Sequence, residues 1–475
     1  MRADDLVVLA VLLNSFSAAA VVNIGGQGGF PVGIAPYYFV AVLMTLRFIP
    51  RWVSGKVRFF KGEPAAAFAR MMAIFAFFCF VSAFVMPNLF AGLPVDVPRA
   101  GVAGQHQNPQ SPLHWSPSNV GQAIYILLNF FILLECLRRC DEVRLSRVLA
   151  RAFTWSGLLA AAVGLFQVAC TDLGMRFPTW LFNSNAAWAQ LSHQMILGGF
   201  RRISATFAEP SDAGRFFACW MVYELTLAIS LHQKRRMYFL NAAVGTVLLF
   251  LTTSSTGYII AGVAWCFATI QTVITLFRTG LIRARKGAIV LGAIGVLILV
   301  LLVLPGIHDL LNGVLFEKQS TDSAIDREAT LGRGLQVFYQ TWGLGAGLGS
   351  NRAMSVAFYV LSNLGLFGTI MFGYLIVKPY GLLRAALRDS NVPNELSSHM
   401  RAAAAALAAY LIGMLVSGAE ITEPQFWLLV VMLVAAIRQS WLFQQGVLGL
   451  PAAEWQRARE GQQRLILLWE PVGGD

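Results

Sequence analysis

Charge is what this chain has least of. Only 13% of its 475 residues are Asp, Glu, Lys or Arg, too few to cover a soluble globule of that length. The signatures of common metal sites are also missing. Its six cysteines (Cys79, Cys136, Cys140, Cys170, Cys219 and Cys266) show no CxxC spacing, and its histidines form no HExxH. That spacing argues against metal binding and leaves the thiols as small apolar residues. There is no GxxxxGK[ST] loop, so a nucleotide is a poor reading of the glycines. No internal repeat, low-complexity tract or soluble domain stands out. The first apolar run also lacks a strongly basic leader, since Arg2 is followed by Asp4 and Asp5. It therefore reads as a retained helix rather than a cleaved signal.

Apolar residues fill the space that charge leaves. They make up 57% of the chain, and the mean hydropathy is +0.62. Apolar runs recur at 5–22, 34–50, 68–89, 119–137, 149–171, 213–231, 238–252, 257–277, 288–305, 356–377, 402–418 and 425–440. Runs of roughly twenty residues cross a bilayer core of about 30 Å as helices. The expected fold is an all-α polytopic integral membrane protein of about twelve transmembrane helices. Residues 1–440 form one transmembrane domain, and 441–475 form a polar cytoplasmic tail with a short apolar patch from Leu465 to Trp469.

A net charge of +12 would suit nucleic acid were it gathered in one place. It lies instead in short segments between apolar runs, where it sets topology. With both termini placed in the cytoplasm, the inner segments hold 27 of the 36 basic residues. The remaining nine are Arg99, Arg176, Arg201, Arg202, Arg215, Lys318, Arg327, Arg333 and Arg352. The inverted topology would break the positive-inside rule at nearly every loop.

The long segments then fall outside, at 90–118, 172–212 and 306–355, and the chemistry is expected there. The first is rich in Pro, Gly, Gln and Asn and reads as an irregular loop. The second carries Trp180, Phe182 and Trp188, the mark of a helix lying at the membrane surface. It ends in RRISATFAEPSDAGRFFA, where Arg201 and Arg202 precede Glu209, Asp212 and Arg215. The turn at Pro210-Ser211-Asp212 reads as a capped helix start and a place for an anion. The plainer alternative is that the arginines anchor headgroups and Asp212 only caps.

In the third segment, TDSAIDREATLGRG places Asp322, Asp326, Arg327, Glu328 and Arg333 on an expected helix. A solvated charged helix explains this run as well as a site does. WGLGAGLGSNRAMS follows, with alternating glycines at 343, 345, 347 and 349 before Arg352. Such spacing permits tight turns and close backbone approach. Arg352, at the edge of the tenth run, is either an interfacial arginine or an anion contact. The short outer turn SGAEITEPQFW carries Glu420 and Glu423, proton acceptors or, more commonly, arginine partners. Arginines near membrane depth with carboxylates in the same loops suit a lipid-linked diphosphate, because a guanidinium binds phosphate through paired donors.

Three of these stretches carry a resemblance. RRISATFAEPSDAG, LTTSSTGYI and GLGAGLGSNRAMSVAFYVLSNLGLFG resemble, in order and in expected side, motifs of the O-antigen polymerase and ligase superfamily of bacterial cell-envelope glycan assembly. Where that family often has an arginine in the second stretch, this chain has Ser255 or Thr256. In the ligase branch a histidine precedes the third motif's GxxG; here Gly365-Leu366-Phe367-Gly368 supplies the GxxG, Ser355 the small polar residue, and Met354 stands in the histidine's place. Methionine cannot accept a proton, which favours the polymerase branch.

The resemblance implies a membrane glycosyltransferase architecture of the GT-C-like kind in the bacterial inner membrane. It implies polymerisation of undecaprenyl-diphosphate-linked oligosaccharide repeat units on the periplasmic face. Arg202 and Arg327 would hold the diphosphate, with Arg201, Arg333, Arg352 and Asp212 as supporting contacts and Glu209 as base. Membrane lipid, a chain-length regulator and a flippase of the same pathway are the implied partners. No nucleic acid, metal or cofactor is implied. A ligase remains the nearest alternative, and a lipid-glycan flippase or transporter the alternative of another class. Against a transporter, the acidic residues within the runs, Glu135 and Glu224, both sit near expected cytoplasmic ends.

Overall fold

A computed structural model describes residues 3–24, 32–54, 62–96, 110–186, 196–197, 200–231, 233–279, 322–388, 392–418 and 420–448. The protein is mostly helical. Its helices are α1 (Ala3–Leu13), α2 (Pro36–Val53), α3 (Pro64–Leu89), α4 (Pro117–Arg138) and α5 (Leu145–Asp172), then α6 (Thr179–Phe182), α7 (Pro210–Ser230), α8 (Arg235–Leu251) and α9 (Ser255–Thr279). After these come α10 (Asp322–Gln340), α11 (Val356–Ala386), α12 (Asn394–Ser417) and α13 (Pro424–Gln444). Described helix overlaps every expected apolar run except the ninth, 288–305, which lies outside the described residues. Among the described residues, six helices are long and apolar enough to cross a membrane: α3, α4 (continuing to Asp141), α5, α11, α12 and α13.

A backbone inside lipid must satisfy its own hydrogen bonds, so apolar runs become helices. What separates the helices is how much of each is enclosed. In α13, 89% of the most apolar window is buried, against 44% in α3. α13 therefore runs through the middle of the bundle. α3 turns Ile74, Phe77 and Val85 outward and Phe68, Met72 and Phe75 inward. α7 is central too, buried almost continuously from Ala213 to Leu225 and packed against α8, α9 and α12. Small residues let its neighbours close in. A Cβ built on Gly157 of α5 would lie 2.1 Å from the Trp220 ring, and one on Gly245 of α8 would lie 3.2 Å from it. A second aromatic contact joins α3, α11 and α13, with Phe426 and Trp427 edge to face at 4.9 Å and Phe372 5.6 Å from Phe426.

Basic side chains gather at the end of the bundle where α2 and α4 finish. Arg438 is buried with Glu63 and donates to the carbonyl of Leu137. Arg138 grips Glu135 at 2.7 Å, and Arg51 lies 3.8 Å from the same carboxylate. Arg147 reaches Glu395 across to α12. The opposite end, where α1 and α3 finish and α7 and α13 begin, carries the loops and the candidate site.

Several local expectations need correcting. The first apolar run is helical only to Leu13, because Asn14 leaves the helix to donate to Gln425 of α13. Among the described residues of 172–212, a single helical turn, α6, carries the exposed Trp180; Trp188 lies outside the described residues. The loop 90–118 is not wholly irregular, since β3 (Pro94–Asp96) pairs antiparallel with β4 (Gln110–Pro112). Two more small hairpins join Val22–Ile24 to Val32–Ile34 and Ile196–Leu197 to Phe200–Arg201. α13 continues to Gln444, and residues 449–475 lie outside the described residues.

Candidate functional site

The glycine-rich stretch is built into a broken helix. α11 follows its N-cap Ser355 and is interrupted at Gly365, whose φ of 66° and ψ of −165° are not helical. Freed backbone groups at the break are taken up by the preceding loop. Ala346 N donates to Ser362 O at 2.8 Å, Gly347 N to Asn363 O at 2.8 Å, and Leu366 N to Gly343 O at 2.9 Å. The Asn363 side chain accepts from Ser350 N and Asn351 N and donates to Asn351 O at 2.7 Å. Gly343, Gly345, Gly347 and Gly349 all have positive φ, which explains their alternation. A Cβ on Gly345 would lie 2.5 Å from Asn363 O and from Gly365 N. The stretch is a backbone wedge, and it fixes where Arg352 leaves it.

Asp96, which sequence reasoning passed over, holds that wedge from the other side. Its backbone N donates to Asn351 Oδ1 at 3.0 Å, its carbonyl accepts from Arg352 N at 2.9 Å, and its buried carboxylate accepts from Arg333 Nε at 2.7 Å. One acidic residue thus ties β3, α10 and the glycine stretch together. Nothing in the sequence marks Asp96, because its partners lie far along the chain. Arg333 reaches a carboxylate here. The side chain of Arg327 lies outside the described residues, and so does that of Arg201.

Arg202 joins two of the motif stretches. Its Nε donates to Thr252 O at 3.1 Å, and Ile203 N donates to Leu251 O at 3.2 Å, fastening RRISATFAEPSDAG to LTTSSTGYI. The segment between Arg202 and α7 is buried and held by Gln167 of α5, whose Oε1 accepts from Ser204 N and Ala205 N. Glu209 occupies the N-cap position of α7 with extended backbone, in place of the expected Ser211 or Asp212, and no side chain caps the helix. Ser211 Oγ donates to Glu209 at 3.2 Å. This helix start therefore carries its own carboxylates, Glu209 and Asp212, which complement its dipole.

Arg215, one turn into α7, is the centre of a charge cluster. Its Nη2 lies 2.8 Å from Asp212 Oδ1 and 3.5 Å from Glu423 Oε1. Its Nη1 donates to Gly418 O, and its guanidinium carbon sits 5.2 Å from the Tyr410 ring centre. Planar geometry lets one arginine serve two carboxylates, a carbonyl and an aromatic face together. Glu423 is thus an arginine partner, the commoner of the two roles expected for that turn. Glu420 is not held in the same way. It accepts from Gln122 Nε2 of α4, and Thr422 Oγ1, which donates to Gln122 Oε1, lies 3.4 Å from it. Burial pushes its carboxyl pKa up, opposed by the Gln122 hydrogen bond, and the neighbouring Glu423 charge pushes in the same direction as burial. The positive charge of Arg352 acts on it in the opposite sense.

Between these groups lies a pocket at the loop end of the bundle. Its wall includes Asp212, Arg215, Glu420 and Glu423, with Tyr38 and Tyr125. The two tyrosines stack with ring centres 3.8 Å apart. Tyr38 also donates to Thr422 O, so α2, α4, α7 and the turn between α12 and α13 meet there. The third motif comes close as well, since a Cβ on Gly418 would touch Met354 at 3.0 Å. Of the residues expected to bind or react, Asp212 lines the pocket, and Arg352 acts electrostatically on a residue of its wall. Glu209 and Arg202 do not line it. An apolar groove between α1 and α5, walled by Val8, Leu12, Ala152 and Trp155, has Arg151 as its charged member. Among the described residues no three His, Cys, Asp or Glu side chains cluster as a metal site.

No protein-family model matches the chain, and no curated protein matches it. The chemistry of the pocket has to be read from its own residues.

Proposed function

We propose that this chain is a bacterial inner-membrane polysaccharide polymerase, joining undecaprenyl-diphosphate-linked repeat units by glycosyl transfer on the periplasmic face. In this reading it spans the membrane about twelve times in a GT-C-like arrangement, with both termini in the cytoplasm. The observation that carries the reading is the hydrogen bonding of Arg202 and Ile203 to Thr252 and Leu251. It brings two of the three family-like stretches together, and Gly418 brings the third to the same end of the bundle.

The reaction needs two things. A departing lipid diphosphate needs fixed positive charge, since preorganised cations stabilise the charge that develops on the leaving oxygen. An acceptor hydroxyl needs a group to receive its proton. Arg202 and Arg327 supply the first in this proposal, with Arg201 and Arg352 in support. Carboxylates at the loop end are the candidates for the second. A chain-length regulator and a flippase would act beside the protein in the same pathway.

The test uses purified protein in lipid, supplied with the lipid-linked repeat unit of its own host. A ladder of lipid-linked oligomers without another acceptor is the expected product. Transfer only when a second acceptor is added would make the protein a ligase. Neither product would remove the glycosyl-transfer reading and bring lipid-glycan transport forward. Arg202→Ala or Arg327→Ala is expected to abolish chain growth while membrane insertion stays normal. Normal polymer length in both variants would sink their assignment.

A further inference from the structure

The composition of the pocket at the loop end argues against a diphosphate there. Three carboxylates, Asp212, Glu420 and Glu423, face it with one guanidinium, Arg215. That guanidinium already contacts two of the three. A ligand with two further negative charges would be repelled, since like charges in a poorly screened site disfavour each other strongly. Hydroxyl groups suit the site much better, because ionised carboxylates accept hydrogen bonds from neutral donors. The stacked pair Tyr38 and Tyr125 adds a flat apolar surface beside those acceptors. A flat ring with polar edges and apolar faces, such as a sugar, matches both features.

The two glutamates of the turn are held differently. Glu423 is fixed by a cation and a phenol, with Arg215 at 3.5 Å and Tyr410 Oη donating to it at 3.4 Å. Its carboxylate is thus engaged as a counterion. Glu420 is oriented by a neutral donor, Gln122 Nε2. Gln122 is itself fixed by accepting from Thr422 Oγ1. Its carboxylate is therefore positioned without being bound to a cation, as a proton acceptor should be.

Resting on the polymerase reading above, we infer that this pocket is the acceptor subsite for the incoming saccharide, with Glu420 in place of Glu209 as the group that receives the acceptor's proton. The step balances. The proton of the acceptor hydroxyl passes to Glu420, and the hydroxyl oxygen forms a bond to the donor's anomeric carbon. The bond from that carbon to the diphosphate oxygen breaks, and its electron pair leaves with the diphosphate. Asp212, Arg215 and Glu423 bind sugar hydroxyls and hold the wall. Groups acting on Glu420 are Glu423 on its own turn, Arg352 ahead of α11, Tyr359 of α11 and Tyr125 of α4.

Two readouts on the full-length protein in lipid separate this inference from the reading it rests on. One is titration with the soluble repeat-unit oligosaccharide, lacking lipid and phosphate; the other is ladder formation from the lipid-linked unit. Glu420→Gln is expected to slow elongation at least about 100-fold and to leave oligosaccharide affinity within about threefold. Glu420→Asp should restore part of the rate. Tyr125→Ala should weaken oligosaccharide binding about tenfold or more and leave binding of undecaprenyl diphosphate unchanged. A wild-type ladder with undiminished elongation by Glu420→Gln overturns the role of Glu420 while the polymerase stands. A wild-type ladder with no oligosaccharide binding, or binding indifferent to Tyr125→Ala, overturns the subsite. If the wild type makes no ladder, the polymerase reading falls and takes the proton transfer with it.

Discussion

Arg333 Nε lies 2.7 Å from Asp96 Oδ2, and that carboxylate is fully enclosed. The pair closes a circuit from α10 through β3 to the glycine-rich stretch, because Asp96 also bonds to Asn351 and Arg352. It gives Arg333 a mechanical role whatever the ligand.

Removing the arginine alone takes a cation away from a buried carboxylate. Arg333→Ala is expected to destabilise the protein by about 3 kcal/mol, and Asp96→Ala should reproduce its loss of activity. Thermal unfolding in detergent, run beside the elongation assay, checks both. An Arg333→Ala variant that is as stable as wild type but inactive would make Arg333 a ligand contact instead.

Gly345→Ala forces a side chain onto a left-handed residue, with its Cβ 2.5 Å from the backbone of α11. Left-handed strain and overpacking together cost on the order of 3 kcal/mol. Gly332 of α10 has nothing within 4 Å of its would-be Cβ and no unusual φ. Gly332→Ala should therefore be neutral or stabilising by up to about 1 kcal/mol. Paired unfolding curves of the two variants decide whether the wedge is a structural requirement.

Arg215→Ala would leave Asp212 and Glu423 without the cation they share, and a loss of about 3 kcal/mol follows. Arg215→Lys keeps the charge but loses the fork that reaches Gly418 and both carboxylates, so it should recover only part of the stability. Equal stability of all three proteins, measured by the same unfolding assay, would mean the cluster contributes nothing.

Burial raises the pKa of Glu420 above its unfolded value. A carboxyl raised in this way contributes stability that is fully present below the unfolded pKa. That stability is lost as pH rises through the folded value. Wild type should thus lose stability with rising pH across that window, and Glu420→Gln should flatten the slope and be the more stable protein at neutral pH. Elongation should run the other way, since only the ionised carboxylate accepts a proton. Unfolding temperature and rate, each followed against pH for both proteins, test the opposed signs.

How much of this was legible beforehand differs residue by residue. The apolar runs located nearly every helix core, and the alternation of glycines from 343 to 349 announced close backbone approach before any partner was known. Glu420 and Glu423 were visible as an acidic pair in one short turn, but their different partners were not. Asn14 reads as part of an apolar run, yet it leaves α1 to bond Gln425. Asp96 carries no local signal in the sequence and is buried. Arg215 was one basic residue in a basic segment until α7 carried it against Gly418 and Tyr410.

By itself the sequence determined that the chain is helical and membrane-embedded, because those properties depend on local things. A run of apolar residues satisfies its own backbone within a few positions, and glycine's freedom belongs to the single residue. Only the tertiary structure decided which charges meet. Arg215 and Glu423 are 208 positions apart, and Arg333 and Asp96 are 237 apart. Their encounter follows from how α7, α10 and α13 pack, which no local pattern encodes. Packing sets each charge's burial and partners, and so it turned one glutamate of a pair into an arginine's counterion and left the other to the neutral Gln122.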